Sequence, residues 1–212
     1  MATKLDVHPP RPDLQAGGAA CTTKLTTVYR FARLLAGDEI GLARVHSISD
    51  KGIELSSIIN LQIGQEIQLD LSETSSMTAT VSEKDGSRYI LAFQQSINCA
   101  ELLRQLVAEA RSSCGRPLRL PTPLIPATGH SLNGTHHLKI EDISQRGIKV
   151  RHDGSFQPGL RVRIQLPNGL ECQGIVRWTT QLSAGLLLAD ILSADDLGAV
   201  SGLGGGPAQL VD

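Results

Sequence analysis

Glu66-Ile67-Gln68-Leu69-Asp70-Leu71 alternates polar and apolar residues, and 95 positions later Arg161-Val162-Arg163-Ile164-Gln165-Leu166 does the same. A period of two marks a half-buried strand, because successive side chains leave a strand on opposite faces. The fixed offset is as informative as the alternation. At the same spacing Ile48 matches Ile143, Ser49 matches Ser144, Gly52 matches Gly147 and Ile53 matches Ile148. Further along, Gln62 matches Gln157, Gly64 matches Gly159, Leu71 matches Leu166 and Val81 matches Val176, with no gap from Arg44 to Phe93. Matching glycines together with matching alternation mark a duplicated domain. Gly64, Gly159, Asp85-Gly86 and Pro167-Asn168-Gly169 supply turns between short strands. The chain is therefore expected to be mainly β, with two tandem small antiparallel β-barrels.

Each barrel is expected to end in a helix, the second one short. Asn98-Cys99-Ala100-Glu101 has the form of a capping box, and Leu102, Leu103, Leu106, Val107 and Ala110 recur at helical spacing. This predicts a helix from about Cys99 to Arg111 that closes the first barrel and links it to the second. Ser193-Ala194-Asp195-Asp196-Leu197 is a weaker equivalent. The expected boundaries are a disordered tail over 1–21, a first barrel over 22–111, a second over 112–198 and a flexible tail over 199–212. The scarce aromatics, 3% of residues, leave the cores to Leu, Ile and Val. Trp178 and Phe93 are assigned to those cores.

The overall net charge of −1 argues against binding polymeric nucleic acid or a membrane surface. The charge is unevenly placed. Thr22 to Cys99 carries seven Lys/Arg against nine Asp/Glu, whereas Arg111 to Trp178 carries ten against four. The second half is the better candidate for an anionic ligand. The four cysteines form no C-x-x-C pair, and the adjacent His136 and His137 would leave a strand on opposite faces, so no metal site is expected. No apolar run is long enough to span a membrane. A cytoplasmic protein with no membrane insertion is the expectation. No catalytic set emerges at interpretable spacing, so the reading is of a protein that is not an enzyme.

Asp142-Ile143-Ser144-Gln145-Arg146-Gly147 resembles the D/N-x-S-x-x-G signature of PilZ domains. Gly159, Gly174-Ile175-Val176-Arg177-Trp178 and Gly185-Leu186-Leu187-Leu188 then follow in the order of that family's later strands. The resemblance covers nearly all of residues 112–198. It implies binding of cyclic di-GMP, a ligand and not a cofactor, with Asp142 and Ser144 reading a guanine edge and Gly147 allowing close backbone approach. On a strand Asp142 and Ser144 share a face. Ser144 and Gly147 could equally serve only to make the turn. The family also carries an R-x-x-x-R motif before its first strand, whose guanidinium groups stack on guanine and pair with phosphate. Here the spacing departs from the motif: the candidates are Arg111, Arg116 and Arg119, and the position four before Arg119 is Gly115. Arg116 and Arg119 converge only if a bend re-aims one of them, and Arg111 could fold over the ligand instead.

In the first copy, Arg30-Phe31-Ala32-Arg33 repeats the shortened arginine pair, but Ser49 lies only 16 positions after Arg33, against 25 from Arg119 to Ser144. Ser47 stands where the signature has its acidic residue. The first barrel is expected to be a degenerate copy with a structural role or a protein partner. The function implied is that of a cyclic di-GMP receptor coupling messenger level to a domain rearrangement or to partner binding. The alternative is a nucleotide-independent adapter that docks other proteins.

Overall fold

The computed structural model describes residues 26–111 and 117–205. The first barrel is built from β1 (Thr26–Ala36), β2 (Glu39–Ile48), β3 (Gly52–Ser56), β4 (Glu66–Asp70), β5 (Ser76–Asp85) and β6 (Arg88–Phe93), and α1 (Cys99–Arg111) follows it. The second is built from β7 (Leu120–Ser131), β8 (Gly134–Ser144), β9 (Gly147–Arg151), β10 (Arg161–Gln165), β11 (Glu171–Thr179) and β12 (Ser183–Leu188), followed by α2 (Val200–Leu203). Both sheets close, in the same order: β1-β2-β3-β6-β5-β4 and β7-β8-β9-β12-β11-β10. Closure leaves no free sheet edge. Inward positions are filled by aliphatic residues, among them Leu34, Leu55, Ile67 and Leu69 in the first barrel and Ile140, Ile148, Val162 and Ile164 in the second. Each such burial contributes about 1.5–3 kcal/mol.

Helix α1 belongs to the first barrel. Cys99 and Leu106 are buried in its core. The Asn98 Oδ1 accepts the Glu101 N–H at 3.0 Å, as the capping pattern predicts, and Asp50 Oδ1 accepts the Cys99 N–H at 2.9 Å. The second barrel is also followed by a short helix, as expected, but not at Ser193 to Leu197. Ala194 to Leu197 form a turn in which Ser193 and Asp196 bond one another, and the helix comes later, at α2. Residues 199–205, read from their glycines as the start of a flexible tail, are part of the fold, with Val200 and Leu203 buried in the second core. The tails over 1–21 and 206–212 lie outside the described residues.

The barrels also meet along a seam. The Leu42 N–H donates to the Leu197 carbonyl at 2.9 Å, and the Leu42 side chain joins the second barrel's core. Gly41 and Gly198 make this possible: a Cβ on Gly41 would lie 1.7 Å from the Gly198 carbonyl oxygen.

Candidate ligand-binding site

Two β-bulges build the site. In β8, His136, Leu138 and Ile140 point inward, and strict alternation would send Asp142 inward as well. A bulge between Ile140 and Asp142 inserts one residue, so Ile143 fills the core and Asp142 turns out. In β11, Cys172 and Val176 are buried, and alternation would bury Trp178. A bulge between Val176 and Trp178 sends the indole outward instead, where it is 42% exposed. The assignment of Trp178 to the core is therefore corrected. Its ring lies over Gly185, where an added Cβ would sit 2.1 Å from the indole Nε1. Phe93 is half-buried against the first core.

The pairing register joins these residues into one row across the outer face. Pro121 pairs with Asp142, Asp142 with Lys149, Lys149 with Gly185 and Gly185 with Trp178. Arg119, just before β7, forms an ion pair with Asp142 through Nη1 and Oδ1, and both side chains keep partial exposure. The bulge residue Glu141 receives Lys149 at 2.7 Å and Arg151 at 2.6 Å. Hydrogen bonds from Lys149 and Arg151 hold its carboxyl below the usual range against the opposing effect of burial. Arg146 is exposed in the β8–β9 turn. The row thus offers a carboxylate, several cations and an aromatic face.

The other signature residues are engaged in the backbone. The Ser144 hydroxyl is buried and donates to the Gly147 carbonyl at 3.1 Å. Ser49 repeats this with Gly52 at 3.2 Å in the first copy. Gly147 has no positive φ; a Cβ there would meet the Leu186 carbonyl oxygen of β12 at 3.0 Å. Close approach of two strands, not turn geometry, requires the glycine. Arg111 is exposed at the end of α1, and Arg116 and Gly115 lie outside the described residues. Lys149, Arg151 and Trp178 were not among the candidates. The i, i+2 spacing of Lys149 and Arg151 on β9 was the available signal for the first two; the bulge concealed the third.

The register also corrects the alignment of the arginines. Arg33 pairs with Leu42 and Asp70, and Thr128 pairs with His137 and Gln165, so Arg33 corresponds to Thr128 at the same 95-residue offset. Arg30 likewise corresponds to Ile125. Arg30 and Arg33 therefore lie within β1 and are not counterparts of Arg116 and Arg119. Leu120 and Thr26 are equivalent, pairing with Ile143 and Ile48. The residue preceding Thr26 is Leu25, outside the described residues.

A model of the PilZ domain family matches residues 111–196, which hold the whole row. The second barrel is a PilZ domain. Among solved structures, the chain is similar to the Borreliella burgdorferi PlzA protein in complex with c-di-GMP, at 12% identity over 77% of this chain and 83% of that one, with a TM-score of 0.33. It is similar to the K. pneumonia MrkH-c-di-GMP complex at 12% identity, over 82% and 83%, with a TM-score of 0.32. It is similar to the Bacillus subtilis inhibitor of motility MotI/DgrA at 16% identity, over 81% and 92%, with a TM-score of 0.31. A search of curated proteins finds no match. Among the described residues, no helix is long and apolar enough to cross a membrane, and no group of three or more His, Cys, Asp or Glu could hold a metal ion.

Proposed function

We propose that the protein is a cyclic di-GMP receptor whose ligand lies on the outer row of its PilZ barrel. The observation that carries this reading is the row itself, which aligns Asp142, Lys149 and Trp178 by strand register and ties Arg119 to Asp142 by an ion pair. Each group suits one part of a cyclic guanine dinucleotide. The Asp142 carboxylate accepts from guanine N–H donors, while Arg119 donates to phosphate or stacks on a base. Trp178 supplies a face for a purine, a contact worth about 1–3 kcal/mol. A guanine edge on Asp142 and a phosphate on Arg119 replace one ion pair by two charge-assisted contacts. Arg111, exposed at the end of α1, and Arg116, three residues before Arg119 in the sequence, add cationic groups for the phosphates in this reading. Ser144 and Gly147 shape the backbone beneath. The protein acts as a receptor in the cytoplasm and not as an enzyme, and the first barrel passes the signal to a protein partner.

Trp178 is the single tryptophan of the chain, so tryptophan fluorescence, excited selectively over the two tyrosines, reports on this row alone. Cyclic di-GMP is expected to change it saturably, and cyclic di-AMP and GTP are not. No saturation at high micromolar cyclic di-GMP would overturn the reading in favour of a nucleotide-independent adapter.

A further inference from the structure

The backbone of Arg119 is held at both polar atoms by the first barrel. Its N–H donates to Glu73 Oε1 at 3.3 Å, and its carbonyl accepts from Arg33 Nη1 at 2.7 Å. Arg33 is itself fixed: its Nε donates to Asp70 Oδ2 at 2.8 Å, and that carboxylate is nearly fully buried. Burial alone would raise the Asp70 carboxyl, but hydrogen bonds from Ser76, Arg33 and Gln68 hold it below the usual range, so the anchor stays charged. Glu73 lies 3.6 Å from Arg33 Nη1. Its loop also reaches α1, where the Thr74 hydroxyl donates to Glu109 Oε1 at 2.6 Å. The β4–β5 loop of the first barrel therefore grips the chain on both sides of residues 112–116.

We infer that Arg33 and Glu73 are positioning residues for Arg119, so that docking of the first barrel sets the ligand affinity of the second. The inference rests on the cyclic di-GMP reading above. A guanidinium that must meet a carboxylate and a phosphate in defined directions works only if its backbone is held to within about half an ångström. The β7 ladder does not supply this alone: Arg119 precedes its first paired residue, Leu120, and only Leu120 and Pro121 pair with β8 before the bulge that ends at Ile125. The coupling is reciprocal: a ligand that needs Arg119 in this place strengthens the contact between the barrels by the same factor. The arginine within β1 that resembled half of a ligand motif thus serves the ligand site indirectly, from the neighbouring domain.

The test uses the full chain and calorimetric titration with cyclic di-GMP. Glu73 is on an exposed loop, so Glu73→Ala leaves the barrel cores intact. It is expected to weaken binding about five-fold, the effect of one lost hydrogen bond. Glu73→Gln keeps an acceptor for the Arg119 N–H and is expected to restore most of the affinity. In an Arg119→Ala background, Glu73→Ala should cost nothing further, because its effect passes through that side chain. Equal affinity of Glu73→Ala and wild type, or a full additional loss in the Arg119→Ala background, overturns the inference. Exchange of the Arg119 amide in the ligand-free protein, followed by NMR, separates the two readings. If the wild type fails to bind, the receptor reading falls, while faster amide exchange in Glu73→Ala still establishes the clamp and unchanged exchange removes it.

Discussion

The two barrels share strand order, register and bulge positions, yet their outer rows are chemically opposed. In the second barrel the row reads Pro121, Asp142, Lys149, Gly185, Trp178. The same register in the first reads Thr27, Ser47, Glu54, Ile90, Glu83. Lysine is exchanged for glutamate, the indole for a second glutamate, and the glycine floor for an exposed isoleucine. Ser47 Oγ donates to Glu54 Oε2 at 3.1 Å, and Glu54 pairs with Arg88. An acidic row without a stacking surface repels a dianionic dinucleotide. The fold and the serine–glycine turn of the signature are common to both copies and therefore belong to the barrel. The charges and the ring differ between the copies, and it is on them that the proposed ligand site rests.

The most severe way to break this difference is to write the first row's charges into the second. Lys149→Glu together with Trp178→Glu removes a cation and a stacking face and places a carboxylate beside Glu141. The loss is expected to be about 2.5–6 kcal/mol, from one charged contact and one stacked base. Calorimetry should detect no binding at micromolar ligand, with the thermal melt still cooperative. Retention of tight binding would place the site off the row. Asp142→Ser, the residue of the first copy, is the milder exchange. It should weaken binding by about 1.5–3 kcal/mol, roughly ten-fold to over a hundred-fold. An unchanged affinity in this variant would mean that the ligand does not touch the signature carboxylate.

Much of this was legible in the sequence, and the reason is the repeat. Glu66 to Leu71 and Arg161 to Leu166 set the strand period, and the 95-residue offset fixed the duplication. Asp142 could be picked out because its motif resembles a family signature. Trp178 could not, because alternation places it inward and nothing local to Arg177 announces the extra residue of the bulge. The arginines misled for a related reason. Arg30-Phe31-Ala32-Arg33 has the composition of a ligand loop, but the register with Asp70 and Leu42 makes it the middle of β1. Pairing between strands, which no single segment encodes, decides both cases.

The seam between the barrels gives a third, smaller effect. Gly41→Ala forces β2 away from the Gly198 carbonyl, against which a Cβ would lie at 1.7 Å. The Leu42 hydrogen bond to Leu197 and the insertion of Leu42 in the second core depend on that approach. Overpacking of this kind costs about 1–3 kcal/mol. Thermal unfolding should shift down, and calorimetry should show two transitions for the variant and one for the wild type. A single transition at the wild-type temperature would show that the barrels are not coupled through this contact.

The smallest effect is expected from the reverse exchange. Ser47→Asp restores the acidic residue of the signature in the first barrel, where Ser49 and Gly52 already make the turn. If the signature alone made a site, calorimetry would then report two ligands per chain. The row argues otherwise. The new carboxylate has no arginine before the strand, since Leu25 holds that place in the sequence. Its neighbour across β3 is Glu54, now within reach of a like charge, and the pair destabilises the barrel by about 0.2–1 kcal/mol. Arg88 already neutralises Glu54 and cannot serve both. One ligand per chain, at unchanged affinity and with a slightly lowered melting temperature, is the expected outcome. A stoichiometry of two would show that the carboxylate, and not the cations and ring around it, separates the binding barrel from its silent copy.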